Sequence, residues 1–546
     1  MLRSQADARG RLGEGFDVGS DAARVAAESA GVCVRPHVKT VTDVTTGATT
    51  AVPIPCGSTR EAVCAPCATK AKRLRMHQCR EGWHRATDPD LADDNPDGAD
   101  EADEPAADKE QLEDGADDEA PGAAGARRVR STRRLDGFPD LPTITMNQRT
   151  TGRTFTDEAT GKHYQPSMFV TLTLPSYGRI IPGTGVPADP TSYDYRRAAL
   201  DAILWPRLLD RFWQNLRRCA GYKVQYFSAI EAQRRLAPHL HAAVRGTIPR
   251  ATIKAVTRAT YHAAWWPALD TIAYPVLGGP GTDAVPLWVP ELEAYVDPDT
   301  LTPLPTWEQA CDEVEDPAHV VRFGSQVDIK GLLGGTPDSD RTVRYLCKYL
   351  TKNIADTYIG QHPADHADGD DTGESGRGGW VAAAYERHID RLHAEVQLLP
   401  CGPACGNWLR YGVQPAEAGP GLAPGRCQSP THDRENLGLG GRRVLVSRQW
   451  SGKTLTEHRA DRRAVVTAVL TAAGIDPGDA DQMAADRTLL DGSPRYVWGD
   501  VEPGDVDYVA VIAASLRQAN RWRQQYEEAK AAAEGRASPA AVPLAG

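Results

Sequence analysis

Between Asp88 and Glu119 the chain carries sixteen carboxylates against a single lysine, with no aromatic side chain among them. A like-charge block of this length cannot bury enough apolar surface to offset its own repulsion, so it interrupts any core. Residues 86–126 are therefore expected to form an acidic, disordered linker. The block also masks the charge of everything around it. It contributes −15 to a total of −11, which leaves the remainder at +4. The stretch that follows, ARRVRSTRRLDG, holds Arg127, Arg128, Arg130, Arg133 and Arg134. It reads either as a phosphate contact or as a solvated segment.

A chain of 546 residues exceeds what one core supports, so about two to four domains are expected. No apolar stretch opens the sequence, and no apolar run reaches the length of about eighteen residues that a membrane span needs. The expectation is a protein without signal peptide or membrane span, located in the cytoplasm. Eleven cysteines in such a chain argue against a disulfide framework and direct attention to metal.

The cysteines fall into two clusters. In the first, Cys64 and Cys67 form a C-x-x-C, the turn spacing that aims two thiolates at one ion. Cys33 and Cys56 are the best candidates for the other two ligands, because the residues between them alternate like a β-hairpin. Cys79, His37, His77 and His84 remain substitutes. In the second cluster, Cys401, Cys405, Cys427 and His432 follow a C-x3-C, C-x4-H pattern within a Gly- and Pro-rich segment. Four protein ligands leave no open position, so either site would hold structural zinc. Buried free cysteine is the competing reading.

The chemistry concentrates between His163 and Ala355. SMFVTLTLPSYG reads as a strand that ends at Pro175. Residues 196–220 repeat apolar side chains at Leu200, Ile203, Leu204, Leu208, Phe212 and Leu216, the stripe of an amphipathic helix. Tyr222–Glu231 and His239–Val244 read as two strands joined by AQRRLAP. On a strand, residues two apart share a face, so His239 and His241 project together and form an incipient metal site. Glu231, the carboxylate on the preceding strand, is the natural third ligand.

ATIKAVTRATYHAAWW reads as a helix, residues 270–317 as an irregular insertion, and HVVRFGSQVDIK as a further strand. DRTVRYLCKYLTKNIAD then predicts a helix with the apolar stripe Val343, Leu346, Cys347, Leu350 and Ile354. Tyr345, Lys348, Tyr349 and Lys352 lie on its opposite face. A cation can polarise a phosphoryl oxygen, a tyrosine hydroxyl can attack phosphorus, and a nearby ammonium favours the phenolate. Together these point to transesterification of a phosphodiester.

In order, FVTLTLP, PHLHAAV and YLCKYLTK resemble the three motifs of rolling-circle replication initiators in the HUH endonuclease superfamily. PSMFVTLTLPSYGR, RRLAPHLHAA, GLGGRRVLVSRQWSGKTL and the N-terminal cysteines resemble the initiators of actinobacterial conjugative and integrative plasmids. The resemblance implies an α+β fold: an antiparallel sheet with packed helices, the metal histidines on a central strand and a nucleophilic tyrosine on a nearby helix. It is joined by an N-terminal zinc-ribbon-like module and a helical C-terminal region. By motif position Tyr349 is the primary nucleophile, assisted by Lys348, and Tyr345 serves the second, closing transfer. The implied catalytic metal at His239, His241 and Glu231 is Mg²⁺ or Mn²⁺. The implied partners are plasmid origin DNA, single-stranded or extruded, with a host helicase and DNA polymerase.

The domains expected are a cysteine-rich zinc-binding module at 1–85, the linker at 86–126, an HUH endonuclease domain at 127–395, and a region at 396–546 with the second Cys/His cluster and the C-terminal helices. Two alternatives compete with this assignment. A conjugative relaxase uses the same chemistry, but relaxases usually place the tyrosine ahead of the histidines. A non-catalytic zinc-containing DNA-binding regulator explains the cysteines and arginines, yet leaves the histidine pair and tyrosine face as coincidences.

Overall fold

The computed structural model describes residues 18–83, 85, 134–143, 155–156, 161, 163–274, 285–334, 336–348, 350–352, 354, 375–440, 443–472, 488–489, 491–502, 504 and 506–536. The acidic linker, Arg127, Arg128, Arg130, Arg133, His84 and Tyr349 lie outside these residues. Helix α1 (Val18–Ala30) leads into strands β1 (His37–Asp43) and β2 (Thr49–Ile54), then helix α2 (Glu61–Trp83). Next come β3 (Phe155–Thr156), β4 (His163–Thr173), α3 (Tyr195–Ala220), β5 (Tyr226–Ala232), β6 (Pro238–Arg245), α4 (Arg250–Ala259) and β7 (Tyr261–Ala264). The chain continues through β8 (Leu287–Val289), β9 (Ala294–Val296), α5 (Trp307–Asp312), β10 (His319–Arg322), β11 (Val327–Gly334) and α6 (Pro337–Leu346). The remaining elements are α7 (Ser375–Leu398), β12 (Val444–Val446), α8 (Leu455–Ala472), β13 (Tyr496–Asp500) and α9 (Tyr508–Arg536).

These elements form two compact units, Met1–Gln78 with Lys453–Gly546, and Cys79–Gly452. The division differs from the boundaries expected at 85, 126 and 395. The second Cys/His cluster joins the unit of the central sheet, and the chain beyond Lys453 returns to the N-terminal module. Backbone pairing explains this. β13 pairs antiparallel with β1 from Lys39↔Asp500 to Asp43↔Tyr496, while β12 pairs with β5.

In the smaller unit β13, β1 and β2 form an antiparallel sheet, with β1 in the middle. The hairpin expected between Cys33 and Cys56 is present, running from His37↔Ile54 to Thr42↔Thr49. Cys64 is extended (φ −157°, ψ 95°), so the regular part of α2 begins after it, with Pro66 in its first turn. Proline suits that position because the missing N–H would have had no partner there. Cys33, Cys64 and Cys67 pack with Ala27, Val32, Val34 and Ile512 in a small core.

The larger unit is built on a six-stranded antiparallel sheet in the order β11-β4-β6-β5-β12, with β3 pairing to β4. The molecule is thus a mixed α+β protein with antiparallel sheets. β5 and β6 are buried along nearly their whole lengths, polar Ser228, Glu231, His239 and His241 included. Every residue of the apolar stripe expected on α3 is buried. The helix is capped by Asp194, which accepts from Arg197 N–H at 3.0 Å, and by Gly221 in the left-handed region (φ 73°). Its other flank is covered because α7 packs along it. No helix among the described residues is long and apolar enough to cross a membrane.

Three expected elements are shorter than the sequence pattern suggested. The segment ATIKAVTRATYHAAWW is helical only to Ala259, then turns into β7, which pairs with β10. HVVRFGSQVDIK splits into β10 and β11, which belong to different sheets. The break falls at Gly324, whose N–H donates to Thr173 O at 2.7 Å. A Cβ there would lie 2.8 Å from Leu174 O, so only glycine permits this approach. The third is the tyrosine helix. α6 begins well, with Thr336 as N-cap, Pro337 and two early aspartates. It stops at Leu346, where Cys347 and Lys348 turn back with bonds to Val343 O and Tyr345 O of 3.1 and 3.0 Å. Ile354 N–H, which a continuing helix would bond internally, donates to Glu435 O at 2.9 Å.

The strand break gives a direct test. Gly324→Ala is expected to destabilise the protein by about 1–3 kcal/mol in urea unfolding, the usual cost of overpacking. Gly331→Ala on β11, where a Cβ meets nothing within 4 Å, is expected to be near neutral. Equal effects at both sites would show that the close approach at Gly324 is not what breaks the strand.

Candidate active site

The register of the central strands assembles the histidine site. Glu231 on β5 stands opposite His239 on β6, and His241 stands opposite Thr171 on β4. The three expected ligands therefore share one face. His239 Nε2 and His241 Nε2 are 2.8 Å apart, and Glu231 Oε2 lies 4.0 and 3.9 Å from them. All three are buried. Glu231 Oε1 has no hydrogen-bond partner.

A buried carboxylate with one oxygen lacking a donor and the other 4.0 and 3.9 Å from two ring nitrogens is costly unless a cation or proton joins the group. Ligands bonded at about 2.1 Å to one ion have separations in this range. The three residues thus fit a divalent cation. Thr171 Oγ1 lies 2.9 Å from His241 Nδ1. With that nitrogen protonated and bonded to Thr171, Nε2 keeps its lone pair for the ion.

Burial sets the protonation states. It lowers His239 to about 3, with His241 adding to the effect, and lowers His241 to about 4. Both rings are neutral near pH 7. Burial pushes Glu231 up to about 7, against the opposing charges of Arg443 and Lys348. Exposed Lys348 thus acts electrostatically on Glu231, and so does Arg443.

Of the two candidate tyrosines, Tyr345 is at the triad: its hydroxyl lies 3.2 Å from His241 Nε2. It remains 42% exposed. Phe169 stacks on His241 with ring centroids 5.5 Å apart and meets Tyr345 edge-on at 6.1 Å. α6 is tied down by the Arg80–Asp340 ion pair at 2.7 Å. Tyr349, the other candidate, lies outside the described residues.

Both cysteine clusters converge as their spacing suggested. Cys33, Cys56, Cys64 and Cys67 place their sulfurs within one cluster, with Cys33 Sγ to Cys64 Sγ at 3.9 Å. Cys79 is not a member; it is fully buried in the other unit, where burial and then Cys347 push its thiol up. Four thiols this close cannot all ionise alone. Their mutual hydrogen bonds push Cys64 down, chiefly through Cys33, and Cys67 up. In the second cluster Cys401 Sγ and Cys427 Sγ are 3.9 Å apart, and Cys405 Sγ is 3.5 Å from His432 Nε2. Sulfurs held about 2.3 Å from one tetrahedral ion lie at such separations.

His432 Nδ1 donates to Val396 O at 2.9 Å, which leaves Nε2 for the ion. Arg410 supplies a further sign. It is buried, with Nε and Nη2 lacking hydrogen-bond partners, and Cys405 acts on it electrostatically. A dication with three thiolates and a neutral imidazole carries a net −1, which a buried guanidinium balances.

The sequence reading missed Thr171, Phe169 and Arg443. Thr171 had a signal, since it sits in the alternation of FVTLTLP, two residues from Phe169. Arg443 had none, because its neighbours are 213 and 91 positions away.

The chain belongs to a family of replication initiators, RepSA, described as "Replication initiator protein, pSAM2", which it matches over residues 19–518. A "Replication initiator protein" of Streptomyces ambofaciens is 25% identical over 227 residues, 35% of this chain and 43% of the relative. The match thus spans less than half of that relative's length. No solved structure matches the chain.

The raised Glu231 predicts how a cation competes with protons. A folded pKa above the ordinary carboxylate value means the folded state holds its proton up to about 7, and a cation must displace it. Mn²⁺ affinity measured by titration calorimetry is expected to fall about tenfold per pH unit below 7. The histidines do not contribute until about pH 4. A profile flat between pH 5 and 7, or one unchanged by Glu231→Gln, would remove Glu231 from the ligand set.

Proposed function

We propose that this replication initiator nicks single-stranded plasmid origin DNA by tyrosine transesterification, in the manner of HUH endonucleases. The observation that carries the reading is the Tyr345 hydroxyl 3.2 Å from His241 Nε2, beside Glu231 and His239. The antiparallel sheet and the motif order support it.

In this reading a tyrosine oxygen attacks the scissile phosphorus as the P–O3′ bond breaks. The product is a 5′-phosphotyrosine link, and the departing 3′ oxygen takes a proton to become the 3′-OH primer. Lys348 favours the phenolate and holds the phosphate. Neutral His239 and His241 keep their Nε2 lone pairs inward, and Thr171 keeps His241 in that tautomer. A divalent ion, Mg²⁺ or Mn²⁺, held by Glu231, His239 and His241 would polarise the phosphoryl oxygen and offset developing charge.

Tyr349, by motif position, makes the first attack, and Tyr345 makes the second transfer at the same triad and releases a closed circle. The exposed 3′-OH calls for a polymerase, and unwinding ahead of it for a helicase. Both partners belong to this reading. The two cysteine clusters hold structural zinc, the first in a zinc-ribbon-like module.

Two measurements test this. Incubation with single-stranded origin DNA and Mn²⁺ is expected to give a covalent adduct that Tyr349→Phe abolishes. Tyr345→Phe should keep that adduct and impair strand closure. An adduct mapped to Tyr345 in the wild type would exchange the two roles, and one on neither tyrosine would sink the mechanism.

Elemental analysis of the purified chain is expected to find two zinc ions. Cys64→Ser is expected to lose one and to destabilise its module, because removing a structural ion removes folding free energy. Protein that contains no zinc would refute both sites.

A further inference from the structure

Arg443 lies just before β12. Its carbonyl accepts from Ile230 N–H at 2.8 Å, which extends the β12–β5 ladder to the neighbour of Glu231. Its side chain then bonds in two directions. Nε donates to Ile230 O at 2.9 Å, on the strand that carries Glu231. Nη1 donates to Lys352 O at 2.8 Å, on the stretch that follows Tyr345 and Lys348.

A second bond reinforces this one. Ile354 N–H donates to Glu435 O at 2.9 Å, within the segment that runs from His432 to Arg443. The start of that segment is itself fixed. Asn436 and Leu437 N–H donate to Asp433 O at 2.9 and 3.1 Å, and Arg434 pairs with Glu386 and Asp390 of α7 at 2.6 and 2.9 Å. The backbone groups released where α6 ends are therefore taken up by a segment that begins at the second Cys/His cluster and ends beside the triad.

We propose that Arg443 is a positioning residue for strand transfer: its guanidinium ties Lys352 to Ile230 and so holds the stretch that follows Tyr345 and Lys348 against the strand of Glu231. This rests on the tyrosine-transfer reading above. The planar guanidinium presents donors in a fixed fork, which suits two carbonyls on different elements. A lysine keeps the charge but cannot reproduce the fork. Reacting groups displaced by about 1 Å commonly lose a hundredfold in rate, so a loosened stretch should be read in the chemical step.

The test compares full-length wild type, Arg443→Ala and Arg443→Lys. It uses single-turnover cleavage of single-stranded origin DNA with Mn²⁺, affinity for the same DNA, and amide hydrogen exchange of peptides spanning Leu350–Ile354. Both variants are expected to lose about a hundredfold in rate at saturating DNA. Their DNA affinity should stay within about twofold of wild type, and Leu350–Ile354 should exchange faster.

Recovery of the rate by Arg443→Lys would assign the effect to charge and overturn the proposal. So would a weakened affinity with a normal saturated rate, the mark of a phosphate contact. Unchanged exchange at Leu350–Ile354 would overturn it as well. If the wild type forms no covalent adduct, the transfer reading fails. The exchange measurement then still decides the clamp: faster exchange in the variants supports it, and unchanged exchange removes it.

Discussion

The pairing of β5 with β6 sets Glu231 opposite His239, and the pairing of β6 with β4 sets His241 opposite Thr171. Because side chains alternate along a strand, a slip of one residue in either ladder would turn the imidazoles to the opposite face. The register is held by what lies on both sides. Leu240 points away from the histidines into the main core, and Ile230, Leu172 and Ala242 join it there. The same apolar packing that stabilises the sheet therefore fixes the polar constellation on its reverse side. Few arrangements give three ligand residues so little freedom without a cross-link.

Such a site is stable only if its polar atoms are accounted for. The His241 ring is held between Thr171, Phe169 and Tyr345. Glu231 retains one oxygen without a donor, while Arg443 and Lys348 oppose the effect of burial on it. The second Cys/His cluster shows the same pattern with opposite sign, a buried arginine beside a group of thiols. In both places a buried group with unsatisfied polar atoms lies in or beside a cluster of side chains that could hold an ion.

The histidine pair and Glu231 were legible because period-2 geometry needs no knowledge of the fold. The cysteine quartet was legible because C-x-x-C and a hairpin are both local, and the second cluster because its ligands fall within a short stretch. What tertiary bonds decide was hidden. α6 reads as a helix through Ile354, yet Glu435 and Arg443 capture the backbone groups that would have extended it. HVVRFGSQVDIK reads as one strand, but the approach of Gly324 to Leu174 bends it into two sheets. The unit boundaries were unreadable for a similar reason. Nothing local in HVKTVTD announces that its partner is YVWGD.

That last pairing bears on how the chain is made. Asp43 and Arg495 form an ion pair at 3.1 Å across 452 positions, in the register that joins β1 to β13. The hairpin and its four cysteines leave the ribosome early, while the strand that completes their sheet is translated after the whole central-sheet unit. Until then one edge of β1 stays open, and an open edge invites pairing with other chains. The β1–β2 hairpin must therefore wait in a half-built sheet through most of synthesis. A message cut short before β13 would yield the central-sheet unit attached to an uncapped, association-prone edge.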